Sequence, residues 1–120
     1  MIGKECIALA ADTRFGVQMK TLDTNFKKIF HLTKYTMVGL GGLGTDIQTV
    51  NSELQYRAKL YELREGDEMS ATMIQNLMST FLYEHRFGPY FVSPIVAGLD
   101  INKKTGEIQP ILRAYDFFGL

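Results

Sequence analysis

The feature that most constrains the fold is a pair of helix-type apolar stripes in the middle of the chain. Residues 45–65 and 71–87 each repeat apolar side chains at three- and four-residue intervals, as an amphipathic helix requires. Glycine follows the first stripe at Gly66, and Gly88-Pro89 follows the second. The members are Ile47, Val50, Leu54, Ala58 and Tyr61 in the first stripe and Ile74, Leu77, Met78, Phe81 and Leu82 in the second. We therefore predict two helices that pack as antiparallel neighbours.

Both predicted helices begin at residues that can cap backbone donors. Thr45 and Gln48 form a capping-box pattern, in which each side chain can accept a hydrogen bond from an otherwise unsatisfied backbone N–H group. Ser70 stands where it can cap the second helix. The sequence thus predicts a first helix that starts at Thr45 and a second that starts just after Ser70.

Short apolar runs typical of strands flank the helix pair. Residues 6–11 form one run that Asp12 closes, and residues 28–32 and 35–40 are spaced like a hairpin. Residues 95–99 and 108–115 form two more, the last of which carries Pro110. The order of three strands, two helices and two strands predicts an α+β fold, with the helix pair on one face of a largely antiparallel sheet.

Composition indicates one ordinary globular domain, because 46% of the 120 residues are hydrophobic and 22% are charged. We therefore assign residues 1–120 to a single domain. We expect this domain to be incomplete at both ends, since the chain begins almost directly in a predicted strand and residues 117–120 are still apolar.

Charge and cysteine content argue against several classes of protein. Thirteen Lys and Arg balance thirteen Asp and Glu, so we expect no nucleic-acid partner. No apolar run approaches the roughly 20 residues that span a bilayer, so we expect no membrane association. One cysteine, Cys6, and two distant histidines, His31 and His85, do not predict a metal site or another cofactor. The absence of an early secretory pattern favours the cytoplasm and nucleus.

The glycine cluster from Gly39 to Gly44 fits the pattern G-x-G-x-x-G between a strand and a helix. A dinucleotide-binding module is therefore one hypothesis. It is disfavoured, because the helix should lead to a parallel strand that ends in an acidic residue, whereas here a second helix follows. The alternative is that these glycines allow the backbone to approach a neighbouring segment closely at a tight corner.

Asp12 and Lys28 are the evident acid and base at predicted strand ends in the first third of the chain. A lysine desolvated beside a carboxylate can assist the proton transfers that a hydroxyl nucleophile needs. The alternative is a structural ion pair at the sheet edge, and the two interpretations remain open at this level.

Taken together, these strings resemble the proteasome beta subunits of the N-terminal-nucleophile hydrolase superfamily. The resemblance rests on Cys6-Ile-Ala-Leu-Ala-Ala-Asp12, on Lys28 sixteen positions later, and on the glycine cluster before a long helix. It implies an αββα sandwich of antiparallel sheets, of which this chain would be a part. Longer strings, among them residues 61–66 and 83–90, are similar to the beta-3 type within that family.

In active members of the family an N-terminal threonine is the nucleophile, and an aspartate, a lysine and a glycine N–H assist it. By resemblance, Asp12, Lys28 and Gly42 match the aspartate, the lysine and the glycine. No threonine that would match the nucleophile precedes Cys6. The resemblance therefore implies a non-catalytic structural subunit that assembles with alpha and beta proteasome subunits in stacked hetero-oligomeric rings. The alternative is a threonine-type endopeptidase whose nucleophile lies outside the sequence given.

The resemblance also implies an indirect role for the end of the last strand. The beta-3 type lies beside the subunit with trypsin-like specificity, and Arg113, Tyr115 and Asp116 would stand near the wall of that subunit's substrate pocket. An acidic group there would favour a basic substrate side chain, so Asp116 is the candidate wall residue. The alternative is that Asp116 caps a turn before Gly119. If Asp116 is the wall residue, Arg113 is expected to point to the other side of the strand or to pair with it, because a second cation facing the pocket would oppose a basic substrate.

Overall fold

The computed structural model describes residues 1–17 and 19–120, which form six strands and two helices within those ranges. In chain order these are β1 (Phe15–Val17), β2 (Lys20–Asp23), β3 (Ile29–Thr33), β4 (Thr36–Gly42), α1 (Gly44–Glu65), α2 (Ala71–Glu84), β5 (Val92–Ile101) and β6 (Ile108–Ala114). The predicted helices and four of the five predicted strands are present, and the α+β class is confirmed.

A four-stranded antiparallel sheet in the order β3-β4-β5-β6 forms the centre of the fold. Side chains alternate between its two faces. Val38, Leu40 and Val96 point to one face and are almost fully buried against both helices. The other face carries Ile95 and Leu112, each 38% exposed, and we call it the helix-free face. The sheet thus buries one face strongly and leaves the other partly open.

The two helices run antiparallel along the buried face, as predicted. Arg57 of α1 lies 3.9 Å from Glu84 at the end of α2, and the Tyr61 hydroxyl, one turn further along α1, lies 3.6 Å from the sulfur of Met73 near the start of α2. Both stripes point into the core. Their fully buried members are Ile47, Val50, Leu54, Ala58, Ile74, Met78, Phe81 and Leu82. Tyr61 and Leu77 are only half-buried.

The predicted capping box at Thr45 is wrong. Helix α1 begins at Gly44, and its N-cap is Leu43, which makes no side-chain capping bond. The reason is that β4 leads directly into the helix: the Leu43 N–H donates to the Phe91 carbonyl, which leaves Thr45 inside the first turn. The cap at Ser70 is confirmed, since its Oγ accepts from the Met73 N–H at 3.2 Å.

The predicted strand at residues 6–11 is wrong. Apart from a single bridge between Ile2 and Ile7, this part of the chain has no strand pairing among the described residues. A strand needs a neighbour to take up its N–H and C=O groups, and apolar composition alone does not supply one. Instead, a short hairpin of β1 and β2 follows, which the sequence did not predict because its strands have only three and four residues and those of β2 are all exposed.

The glycine cluster serves close packing, and its context does not match a dinucleotide-binding unit. Helix α1 leads to α2, and every pair in the four-stranded sheet is antiparallel. Gly42 has φ of 122°, and a side chain there would overlap the Phe91 carbonyl. A side chain at Gly44 would overlap the Phe15 ring. Gly42 is thus favoured by close contact and by backbone conformation, and Gly44 by close contact alone.

Neither described helix combines the length and apolar character needed to cross a bilayer.

Candidate functional site

A cleft of about 240 Å³ lies between residues 9–12 and the helix-free face of the sheet. On the sheet side it is lined by Ile29, Gly39 and Ile95, which are partners across β3, β4 and β5. Leu9 covers Gly39 from above: a Cβ at Gly39 would lie 3.7 Å from the Leu9 methyl group. A methyl group at position 39 would thus make an ordinary van der Waals contact with Leu9, so the N-terminal segment packs directly over the middle strand.

The structure brings Asp12 and Lys28 together at the rim of this cleft. The Lys28 ammonium donates to Oδ1 of Asp12 at 2.6 Å. The Lys28 side chain is 20% exposed and the Asp12 side chain 68% exposed, so the lysine is the more enclosed partner. The hydrogen bond from Lys28 lowers the pKa of the Asp12 carboxyl below its usual value, and slight desolvation opposes that change. The carboxylate is therefore charged at neutral pH and is committed to the lysine.

Lys28 reaches the cleft because it immediately precedes β3, whose backbone is fixed by pairing with β4. Its carbonyl accepts from the Leu40 N–H at 2.8 Å, which ties the lysine to the middle of β4. Asp12 lies in a segment without regular secondary structure. This segment is held at the next residue, Thr13, whose carbonyl accepts from the Phe26 N–H at 2.8 Å. The pair thus joins a well-paired strand to a segment without strand pairing.

Ser93 lines the same cleft, and sequence reasoning missed it. It lies on β5 opposite Gly41, so its place in the cleft depends on long-range strand pairing that no local pattern shows. Its hydroxyl makes no hydrogen bond to Lys28 or Asp12 in the described part of the chain. The cleft therefore contains an acid, a base and a hydroxyl, but not the hydrogen bond by which a base activates a nucleophile.

Gly42, the match to the oxyanion glycine, lies at the last position of β4, just past the strand residues that line the cleft. Its positive φ turns the backbone against Phe91. Nearby, Oδ2 of Asp46 accepts from the Phe91 N–H at 2.9 Å, which fixes this corner. Packing at the β4–α1 junction therefore explains the conformation of Gly42.

Asp116 lies far along the chain from this cleft, in the turn after β6. Its Oδ1 accepts from the N–H groups of Phe118 and Leu120, each at 2.9 Å. The same oxygen thus organises the turn before Gly119, and Oδ2 makes no hydrogen bond among the described residues. Arg113 and Asp116 form no ion pair in that part of the chain.

Tyr115, between these two charged residues, is only 7% exposed and donates its hydroxyl to the Gln75 carbonyl at 2.8 Å. Burial raises the pKa of the Tyr115 hydroxyl, and Arg113 opposes that change. The tyrosine therefore anchors the end of β6 to α2, and Asp116 follows it at a fixed place on the surface.

The two histidines lie apart and in different settings. His31 is exposed on β3, whereas His85 ends α2 with its Nδ1 at 2.9 Å from the Phe81 carbonyl. Within residues 1–17 and 19–120, His, Cys, Asp and Glu side chains form no group of three that could hold a metal ion.

Comparison with known proteins gives a consistent result. The family model described as proteasome subunit matches residues 1–111. Similar curated relatives include the proteasome subunit beta type-3 of Drosophila melanogaster, at 50% identity over 119 residues, and that of Saccharomyces cerevisiae, at 42% over 119 residues. Each alignment covers 99% of this chain and 56% of the relative. The chain therefore spans about half the length of the curated relatives it matches.

Proposed function

This chain belongs to the proteasome subunit family, and on that basis we propose that it is a non-catalytic structural subunit of the beta-3 type in the proteasome core particle. Its role is to assemble with alpha and beta subunits in stacked rings, and so to contribute to the degradation of ubiquitin-marked proteins in the cytoplasm and nucleus. The observation that carries the proposal is the similarity to beta type-3 relatives along 99% of the chain.

The geometry of the cleft supports a role without catalysis. Lys28 is held by the Asp12 carboxylate at 2.6 Å, and the hydroxyl of Ser93 is bonded to neither group within the described residues. A nucleophilic hydroxyl requires a base within hydrogen-bond reach. In this proposal Asp12 and Lys28 are a structural pair that fixes the N-terminal segment against the sheet.

The assembly role is tested by recovering an epitope-tagged copy of the chain from cells of its source. We expect native mass spectrometry of the purified material to show the chain together with other proteasome subunits. Recovery of the tagged chain free of proteasome subunits would contradict the proposal.

The catalytic alternative, a threonine-type endopeptidase, is tested on the same material. We expect no covalent labelling of the chain by threonine-directed inhibitors, while the active subunits of the particle are labelled. Labelling of this chain, located by peptide mapping, would instead assign it a nucleophile. A Ser93→Ala variant is the control that distinguishes a label on the cleft serine from one elsewhere.

Asp116 has a second role in this proposal, as part of the wall of a neighbouring subunit's substrate pocket. The geometry leaves one oxygen for it: Oδ1 is occupied by two backbone N–H groups, whereas Oδ2 accepts none in the described part of the chain. A free carboxylate oxygen on a fixed turn favours a basic substrate side chain through a charge-assisted hydrogen bond.

The variant Asp116→Asn separates the turn from the wall. Asparagine keeps an oxygen that can accept from Phe118 and Leu120, so the turn is retained while the charge is lost. In assembled particles we expect lower turnover of substrates with basic residues, and unchanged turnover of acidic and apolar substrates. If the variant and the wild type turn over each of the three substrate classes at the same rate, Asp116 acts only in the turn.

A further inference from the structure

The segment of residues 83–90 has two groups of side chains, one that packs on the core and one that faces outward. On the inward side, the Tyr90 ring stacks on Phe81 with centroids 5.7 Å apart, and His85 lies 5.0 Å from Tyr90. Phe81 is 1% exposed, so these contacts extend the core beyond the end of α2. Packing within the fold therefore explains this group.

The outward group consists of Tyr83, Arg86 and Phe87, which we call the outward cluster. The Arg86 guanidinium lies 4.4 Å from the Tyr83 ring centroid and 4.6 Å from that of Phe87. Phe87 is 90% exposed and Tyr83 52% exposed. Exposed aromatic rings around an arginine are the composition typical of the centre of a protein interface.

Contacts within the fold do not satisfy this cluster. Arg86 donates to the Tyr83 carbonyl at 3.1 Å, but it forms no ion pair with a carboxylate among residues 1–17 and 19–120. The adjacent acid, Glu84, lies 3.9 Å from Arg57 on α1. The cation thus remains available to an acidic group from outside the described chain.

The backbone that carries the cluster is fixed by hydrogen bonds within the fold. The Gly88 N–H donates to the His85 carbonyl at 3.0 Å, and this turn positions Phe87 directly after the helix end. The Arg86 guanidinium lies within 4.6 Å of both ring centroids, so the three side chains contact one another on this turn. Because the backbone of the turn is already fixed, binding a partner requires ordering of the side chains alone.

We propose that the outward cluster is a docking surface for a neighbouring proteasome subunit, one that presents a carboxylate beside an apolar socket. The carboxylate pairs with Arg86, and the socket receives the Phe87 ring. Charge complementarity selects this partner, because the cluster offers one cation and two rings but no acid. The inference rests on the proposed assembly role and adds to it where one contact lies.

The first test places a photoreactive phenylalanine analogue at position 87 of the tagged chain, produced in cells of its source. We expect irradiation to give an adduct with a different proteasome subunit, identified by mass spectrometry. An adduct only with a second copy of this chain, or no adduct although proteasome subunits are recovered with it, would overturn the docking proposal alone. Failure to recover proteasome subunits at all would overturn the assembly role together with it.

The second test compares variants by the amount of partner recovered per tagged chain. We expect Phe87→Ala and Arg86→Glu each to lower recovery by about tenfold or more. Since Phe87 is 90% exposed, its truncation should leave the circular dichroism spectrum and thermal midpoint unchanged. The matched control is Leu63→Ala, which removes a 73% exposed apolar side chain from α1. Equal losses for control and cluster variants, or no loss in either cluster variant, would overturn the proposal.

Discussion

The helix-covered face of the sheet and the arm formed by residues 1–14 are both rich in apolar residues, yet they reach different environments. Val38 and Val96 on the sheet are no more than 1% exposed, whereas Ala8 and Ala10 in the arm are exposed. The sheet strands pair on both sides or pack under helices, and the arm has only isolated hydrogen bonds. The difference teaches that neighbours, rather than composition, decide where an apolar run becomes a strand.

The candidate site joins the arm to the opposite, helix-free face of the same sheet. Lys28 immediately precedes β3 and Asp12 lies in the arm, and their 2.6 Å contact lies at the rim of the cleft. The stability of the sheet and the attachment of the arm are thus separable properties. Variants in each region should therefore affect different measurements.

The largest expected effect comes from Phe81→Ala in the core. Phe81 is 1% exposed and contacts Tyr90 and His85, so its truncation leaves a cavity that the helices cannot fill. We expect a loss of about 3–5 kcal/mol in the free energy of unfolding, measured by urea titration. The matched change in the arm, Leu9→Ala, should cost less than about 1 kcal/mol because Leu9 is only half-buried. Equal costs would show that the arm is part of the core.

This contrast also explains how far the sequence could predict the fold. The helix stripes were predicted correctly because periodicity over many residues is a local signal of burial. Four strands were predicted because they are short, apolar and close to a hairpin or turn. Residues 6–11 carry the same signal, but the prediction failed because pairing depends on a neighbour that local sequence does not specify. The hairpin of β1 and β2 was missed for another reason, since strands of three and four residues are too short to show an apolar alternation.

Prediction of the candidate site had similar limits. Asp12 and Lys28 were singled out from their positions at predicted strand ends and from a family resemblance, and the structure brings them together. Their roles are not tested by this contact and stay a prediction. Ser93 could not be found, because it reaches the cleft only through the register of β4 with β5. Leu43 could not be recognised as an N-cap, since leucine has no capping side chain.

Two glycine substitutions, one in the packed region and one beside the β1–β2 hairpin, should have effects of intermediate size on the free energy of unfolding. A Cβ at Gly98 would lie 2.7 Å from the Ala71 Cβ and 3.0 Å from the Tyr35 carbonyl oxygen, inside the packed region. We expect Gly98→Ala to lower the free energy of unfolding by about 1–3 kcal/mol in a urea titration.

The matched variant is Gly44→Ala, where the added methyl group meets the Phe15 ring instead of the core backbone. Alanine favours the helix by up to about 1 kcal/mol, which offsets part of the clash. We expect little change in global stability but faster amide hydrogen exchange in β1 and β2, because Phe15 loses its stack on Phe26. A larger global loss for Gly44→Ala than for Gly98→Ala would contradict the separation of the two regions.

A smaller effect is expected at Tyr115, where the packed region ends. Tyr115→Phe removes the hydroxyl that donates to the Gln75 carbonyl, which should cost about 0.5–1.5 kcal/mol at neutral pH. Because burial raises the pKa of Tyr115 above the usual 10.0, its stabilising effect is present below pH 10 and is lost as pH rises through the folded-state pKa.

Urea titrations at pH 8 and pH 10.5 should therefore show a smaller difference between wild type and Tyr115→Phe at the higher pH. The control is Tyr56→Phe on α1, whose side chain is 63% exposed and should leave the free energy of unfolding unchanged at both pH values. A pH-independent difference at Tyr115 would show that its hydroxyl does not titrate in the predicted direction.

The smallest expected effect on stability, and the most direct on the site, is that of Lys28→Met. This change removes the donor that lowers the pKa of Asp12, so we expect that pKa to rise toward the usual 3.8 in an NMR titration of the carboxyl carbon. Since the folded-state pKa is depressed in the wild type, the pair stabilises the fold above pH 3.8, and that contribution is lost as pH falls through the folded-state value.

Lys103→Met is the matched control, because Lys103 lowers the pKa of Asp67 in a second exposed pair at a distance from the arm. If Lys28→Met also speeds amide exchange in residues 8–14 while Lys103→Met does not, the ion pair attaches the arm to the sheet. An unchanged Asp12 pKa would instead show that the arm is held by its backbone hydrogen bonds alone.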